Sequence, residues 1–380
     1  MRILGAAVVG TGFIGPVHVE AIRRLGHRVV GILGSTPEKS KTAATALGLP
    51  KGFDSLEQLL LDPEVDVVHL ASPNREHFTQ CKKVLAAGKH LICEKPLGMS
   101  EMETSELVKL ASASSVVTAV NYNVRFYPMV LDARARIRRG EIGTIFHITG
   151  SYFQDWLLYP SDFNWRVLAE FGSELRAVAD IGTHWLDTVC FITGLNVESV
   201  CADLSTVHPV RNRPVGRSET FSGSTLQNHP TIPVSVNTED YGSILVRFSN
   251  GARGSFTVSQ VTAGRKNTIR FDLAGSRASL AWNSEEPNTL SIGYRDKPNE
   301  TITRDPGLLG TPGYSDYPAG HAEGFPDTFK MLYRAIYADI VNGKSAGPWY
   351  ATFADGHREV KVCEAILKSH RERRWVEVPQ

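Results

Sequence analysis

Apolar residues along the first third of the chain change their spacing in a regular rhythm. Residues 6–10, AAVVG, read as a short buried strand, after which Ile14, Val17, Ala21 and Leu25 recur three or four positions apart, the spacing of one helix face. The alternation then repeats. RVVGIL (28–33) predicts a second strand, 37–47 a helix, and VDVVHLA (65–71) a third strand followed by a helix to Ala87. HLIC (90–93) predicts a fourth strand, EMETSELVKLAS (101–112) a helix and SVVTAV (115–120) a fifth strand. Strands and helices alternating at this spacing predict parallel βαβ units wound on both faces of one sheet.

Beyond residue 122 the texture changes. A helix is expected over 127–139, a strand over TIFHITGSYFQ (144–154) and a helix over 182–192. Strands are then expected at 197–204, 242–248, 252–260, 267–274 and 278–282, without helices between the last four. That pattern predicts an open, largely antiparallel sheet. The polar stretch 205–240 reads as a long loop or insertion, and 303–326 as a second irregular segment of the length that often carries function. Helices over 327–342 and 353–370 close the chain. The fold class expected is α/β Rossmann, a doubly wound parallel sheet over 1–122, followed by an α+β domain over 123–380.

Bulk composition narrows the function classes. A length of 380 residues fits two domains. Forty-one Lys and Arg against 40 Asp and Glu leave no electrostatic footprint for nucleic acid or an acidic membrane surface. No apolar run is long enough to cross a bilayer, and the N-terminal MRILGAAVVGTGFIG reads as a folded strand and turn rather than a signal peptide. The five cysteines, Cys81, Cys93, Cys190, Cys201 and Cys363, form no CxxC pair, so a reducing cytoplasm is expected and structural zinc is not.

The first chemistry-bearing motif is VVGTGFIG, with Gly10, Gly12 and Gly15 in the GxGxxG spacing. It follows a strand and opens a helix, the context in which the backbone around Gly10, Gly12, Phe13 and Ile14 can cradle a dinucleotide pyrophosphate at a helix N-terminus. An NAD site usually places an acid at the end of the second strand to bind the ribose 2′-hydroxyl. This chain has Gly34, Ser35, Thr36 and Lys39 there. Two hydroxyls and an ammonium suit a 2′-phosphate, so NADP is favoured over NAD. Ser35 and Thr36 would also serve as helix caps ahead of Pro37. After the third strand, Ser72, Pro73, Asn74 and His77 are expected to line the cofactor's path.

The fourth strand ends in Glu94, Lys95 and Pro96. Lys95 at the carboxyl edge would hydrogen-bond a substrate hydroxyl and stabilise alkoxide character as hydride leaves carbon, with Glu94 as a positioning partner. Further on, Asp180 and His184 stand four apart, so on a helix they share a face. An imidazole titrating near neutral pH can take the hydroxyl proton while Asp180 orients the ring or binds a neighbouring hydroxyl. Hydride transfer to nicotinamide requires no metal, and none is expected at this pair.

These motifs in this order, GTGFIG, SPN with His77, CEKP, NYNVRFYP (121–128) and DIGTHWLD (180–187), resemble the glucose–fructose oxidoreductase/inositol dehydrogenase (Gfo/Idh/MocA) family across nearly the whole chain. The resemblance implies an NAD(P)-binding Rossmann domain over 1–122 and a substrate-binding and oligomerisation domain over 123–380. It also implies dimers or tetramers through the second domain's sheet, and hydride transfer between NAD(P) and a sugar or polyol. It assigns the catalytic lysine to Lys95, the D-x-x-x-H pair to Asp180 and His184, and further contacts to Asn123 and Arg125. SYFQDWLLYPSDFNWR (151–166) resembles the segment of members acting on pyranosides, which makes Trp156, Trp165 and Arg166 candidates for the pocket rim or the nicotinamide contact. His321, in the loop YPAGHAEGFPDTF, is a candidate substrate contact. Two rival readings use the same fold: a redox-neutral NAD-dependent glycosidase, and a non-catalytic NAD(P)-binding regulator. The second should have lost Lys95 or the D-x-x-x-H pair.

Overall fold

The computed structural model describes residues 2–215, 230–311 and 313–379. They fall into two compact units, one of 1–123 with 325–360 and one of 124–324 with 361–380.

The first unit is built as the apolar rhythm predicts. Its elements run β1 (Gly5–Val9), α1 (Ile14–Arg24), β2 (Arg28–Leu33), α2 (Pro37–Ala46), β3 (Lys51–Phe53), α3 (Leu56–Leu61), β4 (Val67–Leu70), α4 (Asn74–Ala86), β5 (His90–Cys93), α5 (Glu101–Ser112) and β6 (Thr118–Val120). Among the described residues the strands form one parallel sheet in the order β3-β2-β1-β4-β5-β6. The order reverses between β1 and β4, the switch point beyond whose carboxyl ends ligands bind in such sheets. Helices cover both faces, so β1 and β4 are buried along their length and read as continuous apolar runs. Thr36, Ser55 and Ser100 each accept a backbone N–H three residues on and so start α2, α3 and α5. The sequence reading had no counterpart for β3, a three-residue strand whose Lys51 and Gly52 carry no apolar signal.

The helix Phe325–Asn342 also belongs to this unit. Its Tyr333 hydroxyl lies 2.8 Å from His18 Nδ1, and its Tyr337 hydroxyl 2.9 Å from His69 Nε2. Both histidines are fully buried in α1 and β4. The final helix, Phe353–Glu372, contains the boundary between the units.

The second unit contains α6 (Pro128–Arg138), β7 (Ile145–Phe153), the short α7 (Ala169–Gly172), α8 (Thr183–Thr193), β8 (Val197–Ser205), β9 (Val210–Pro214), β10 (Thr231–Ser235), β11 (Tyr241–Phe248), β12 (Arg253–Ser259), β13 (Thr268–Gly275), β14 (Ser279–Asn283), β15 (Thr289–Gly293), β16 (Glu300–Thr303) and β17 (Val376–Glu377). Its large sheet has the order β16-β15-β14-β13-β7-β12-β11-β8-β17 and is antiparallel except where β7 meets β12. Along β11, Ile244, Val246 and Phe248 are buried while Ser243, Leu245 and Arg247 are exposed, the alternation of a sheet with one covered face.

Trp185 of α8 lies on the covered face. Its ring stacks on Phe256 with centroids 4.6 Å apart, and its indole N–H donates to Arg270 O at 3.0 Å. Gly150 of β7 makes room for it, since a Cβ there would stand 2.2 Å from the indole nitrogen.

Two stretches expected to be irregular are organised. Part of 205–240 pairs as the antiparallel β9–β10 ladder, while 216–229 lies outside the described residues. The stretch after β16 is gathered around the buried Arg304, which donates to Asn288 Oδ1 at 2.9 Å, Ser315 Oγ at 2.6 Å and the carbonyls of Tyr317 and Pro318 at 2.8 and 2.9 Å. A buried guanidinium with five donors can hold a chain that has no ladder of its own.

Candidate active site

In the first unit the sequence motifs meet at the carboxyl ends of β1, β4 and β5. Gly10 has φ +125°, and a Cβ there would lie 2.3 Å from Ala71 O. A Cβ on Gly15 would lie 2.1 Å from Gly10 O, so the turn and the start of α1 close only around glycine. Gly12 differs: a Cβ there meets nothing within 4 Å. The turn thus presents open backbone at that point, and no side chain caps α1 at Phe13. Ile14 begins the helix, whose first N–H groups and dipole favour an anion. These residues fit a dinucleotide pyrophosphate.

The neighbouring loops are tied to one another. His77 is fully buried, with Nδ1 2.8 Å from Pro96 O and Nε2 3.0 Å from Ser72 O. Burial holds its imidazole below the ordinary value against the pull of those carbonyls. It therefore links the Ser72-Pro73-Asn74 turn to the Glu94-Lys95-Pro96 turn. The Lys95–Pro96 bond is cis.

Glu94 Oε1 lies 3.2 Å from His18 Nε2 and accepts a bond from Asn121 Nδ2. Burial pushes the Glu94 carboxyl up, but His18, the Lys95 charge and Asn121 together bring it below the ordinary carboxylate value. Lys95 itself is half-buried. At the end of β2, Lys39 Nζ donates to Ser35 Oγ at 2.7 Å, and Thr36 caps α2. Asn123 donates to Thr328 Oγ1 at 2.8 Å.

In the second unit Asp180 lies in a π-helical turn, Val178–Gly182, that runs directly into α8. π-turns are rare and occur mostly at functional sites. His184 is the second residue of α8, one turn beyond Asp180 and 8% exposed. Asp180 Oδ2 accepts from Gln260 Nε2 at 2.9 Å, and Arg166 Nε lies 3.7 Å from Asp180 Oδ1. The Arg166 guanidinium also sits 4.5 Å over the Trp165 ring. Tyr152 faces His184 with ring centroids 6.1 Å apart and donates its hydroxyl to Asn267 Oδ1 at 2.8 Å. Burial pushes the Tyr152 phenol well up, so it stays a neutral donor. Trp156 Nε1 donates to Gln154 Oε1 at 2.8 Å.

The structure brings Trp165, Arg166, Asp180 and His184 into one region of this unit. It gives Arg125 and His321 different surroundings. Arg125 is buried and doubly bonded to Asp187 of α8, at 2.8 Å through Nε and 2.5 Å through Nη2, with Phe191 under its guanidinium. His321 is exposed, on the stretch held by Arg304, with Nδ1 3.3 Å from Ala319 O. Lys266 and Arg265, on the loop between β12 and β13, reach Asp155 at 2.7 Å and Glu285 at 3.4 Å. Among the described residues no group of three or more His, Cys, Asp or Glu is arranged to hold a metal.

Comparison with known proteins supplies the context for this geometry. Residues 4–122 match the oxidoreductase family with an NAD-binding Rossmann fold, and residues 130–281 match the GFO/IDH/MocA C-terminal domain. Levoglucosan dehydrogenase of Pseudarthrobacter phenanthrenivorans is 30% identical, with 100% of this chain and 99% of that protein covered. The chain belongs to the GFO/IDH/MocA family.

Solved GFO/IDH/MocA structures extend the likeness to the whole chain. Levoglucosan dehydrogenase in complex with NADH and L-sorbose superposes with a TM-score of 0.89 at 28% identity, covering 100% of both chains. An oxidoreductase domain protein from Kribbella flavida does so with a TM-score of 0.90 at 28% identity, again over 100% of both chains. The protein is thus an NAD-binding oxidoreductase with sugar dehydrogenases among its relatives.

Within this GFO/IDH/MocA framework, sequence reasoning passed over Gln260, Arg176, Glu239 and Asp240. Gln260 belongs to no motif and carries no charge that would mark it. Arg176, Glu239 and Asp240 are buried, and nothing local in the sequence marks a charge for burial.

Proposed function

We propose that the protein transfers hydride between NAD(P) and a hydroxyl-bearing or keto carbon of a neutral cyclic sugar or polyol. The observation that carries this reading is the Asp180–His184 pair on one helical segment, with Asp180 held by Gln260, in a chain that also carries the Glu94-Lys95-Pro96 turn at a Rossmann strand end. Bound nicotinamide supplies the hydride acceptor or donor. Lys95 donates a hydrogen bond to the reacting oxygen and stabilises its developing negative charge. His184 takes the proton from that hydroxyl in oxidation and returns it in reduction. Asp180, as a carboxylate, orients the imidazole or a neighbouring substrate hydroxyl. Trp156 and Trp165 offer apolar faces to a ring, Arg166 a donor to its hydroxyls, and His321 a further polar contact. Asn123 and Arg125 support these groups, Arg125 through its bond to Asp187 on the helix of His184.

Ser35, Thr36 and Lys39, with no acid at the end of β2, support NADP as the preferred cofactor. The chain is expected to work in the cytoplasm as a homodimer or homotetramer through the open face of its large sheet. Nicotinamide reduction with NAD and NADP in parallel, across pyranosides, anhydrosugars, inositols and keto-sugars, tests the reading. Turnover with one ring class supports it. No change in cofactor absorbance with any sugar overturns it and favours the redox-neutral glycosidase, whose mark is cleavage of a glycoside without net reduction.

A further inference from the structure

We infer that Gln260 is a positioning residue that orients and polarises Asp180, and that it does so because a buried arginine fixes which way its amide faces. The inference rests on the proposed role of Asp180 as a carboxylate beside His184.

Gln260 is fully buried, and an amide can face its surroundings in either of two ways. Arg176 removes the choice. Its guanidinium donates and cannot accept, and Nη1 lies 3.1 Å from the Gln260 side chain, so the atom facing it is Oε1. Gln260 Nε2 must then point the other way, where Asp180 Oδ2 lies at 2.9 Å and Gln154 Oε1 at 3.5 Å. Gln154 is fixed by the same logic. The Trp156 indole can only donate, so its partner is Gln154 Oε1, and Gln154 Nε2 donates to Asn267 Oδ1 at 2.8 Å. Both amide protons of Gln260 thus have acceptors, one being the candidate catalytic carboxylate.

Arg176 is itself held from three consecutive residues. Thr238 Oγ1 accepts from its Nε at 3.2 Å, and the Asp240 carboxylate accepts from its Nη2. Glu239 accepts the backbone N–H of Arg176 at 2.9 Å and of Val178 at 2.8 Å. Asp240 is shared with the buried Arg211 at 2.6 Å. The chain of contacts therefore runs from a rigid buried charge cluster through one neutral amide to Asp180. A neutral donor aimed at Oδ2 favours the carboxylate form of Asp180 and fixes its plane, with Oδ1 toward Arg166. The titratable and charged groups around this point are Arg166, 3.7 Å from Asp180, Tyr152, whose phenol feels the Asp180 charge, and Arg176, with Glu239, Asp240 and Arg211 behind it; His184 follows one helical turn on from Asp180.

The test is Gln260→Glu in the full-length enzyme, assayed with cofactor and the turned-over sugar. Glutamate keeps an acceptor for Arg176 but replaces the donor to Asp180 by a second negative charge. The expected result is a fall in kcat of about 10- to 100-fold and a rise of about one unit in the acid limb of the kcat/KM pH profile. Cofactor affinity should be unchanged. A wild-type kcat and pH profile in this variant would mean that Gln260 only supports Arg176, and would overturn the inference. If Gln260→Glu does not fold, Gln260→Asn brings no charge and withdraws the donor by one methylene. It should lose kcat to a similar degree with a smaller rise of the acid limb than Gln260→Glu gives, and full kcat in Gln260→Asn overturns the inference equally. Wild-type protein that turns over no sugar overturns the proposed function and this inference together. Wild-type turnover with unaffected variants overturns this inference alone.

Discussion

The two units hold their chemistry in different ways. In the first, the candidate groups sit on short turns at strand ends, and backbone geometry places them: Gly10 and Gly15 close the turn, and His77 ties Ser72 to Pro96. In the second, Asp180 and His184 lie on a helical segment braced by buried charges far away in sequence. Arg176 reaches Thr238, Asp240 and Gln260, which lie 62 to 84 positions along the chain. A turn needs only its own residues and a neighbouring strand, so a short motif suffices to specify it. A buried ion cluster specifies nothing until the fold closes, and it then tolerates no missing partner.

The largest effect is expected where the first unit meets the chemistry. Lys95→Met should lower kcat by about 10³-fold or more while cofactor affinity stays near wild type. Parallel loss of cofactor binding, read by fluorescence titration, would make Lys95 structural and erase the contrast between the units. Next comes the buried pair of the second unit. Arg125→Met removes the bidentate partner of Asp187 and should cost about 3–5 kcal/mol of stability. A change below about 1 kcal/mol in denaturant unfolding would rank this pair with exposed ones.

Glu239 tests the Arg176 cluster with pH. Burial pushes its carboxyl up to about 7 from an ordinary 4.5, against the backbone N–H groups that favour its charge. A raised acid binds its proton more tightly in the folded state, so its contribution to stability falls as pH rises from 4.5 through about 7. Glu239→Gln should therefore add about 3 kcal/mol above neutrality and almost nothing below pH 4. Unfolding at pH 4 and pH 8 reads this directly, and an equal effect at both would show that Glu239 is not charged by folding at a cost. The smallest effect belongs to an exposed group. Lys39→Ala should weaken NADP by about tenfold or less and leave NAD unchanged, because one solvent-screened ammonium contributes little more than 1 kcal/mol. Equal change for both cofactors would remove Lys39 from the 2′-phosphate argument.

Much of the first unit was legible before any coordinates. Continuous apolar runs marked the buried strands, and the GxGxxG spacing after a strand marked the cofactor turn. Thr36 and Pro37 together marked a helix start. β3 escaped because three residues with a lysine and a glycine give no periodicity. In the second unit the central strands β7, β8 and β11 to β14 were legible, while β9, β10, β15, β16 and β17 were not, and the D-x-x-x-H spacing pointed to Asp180 and His184. Its bracing was not. Arg125, assigned a further contact by the resemblance, also pairs with the buried Asp187, a partner that no spacing announces.

The sequence by itself determined most of the segments that become strands and helices, where the glycine turn must fall, and which family the chain belongs to. These follow from local backbone preference, burial periodicity and motif order, which are properties of neighbouring residues. Only the tertiary structure decided that Arg176, Arg211 and Asp240 are interior, that Gln260 faces its amide toward Asp180, and that Arg304 gathers the stretch after β16. A charged or amide side chain has no local signature of its partner. Its cost in the interior is offset only by groups that the completed fold brings to it.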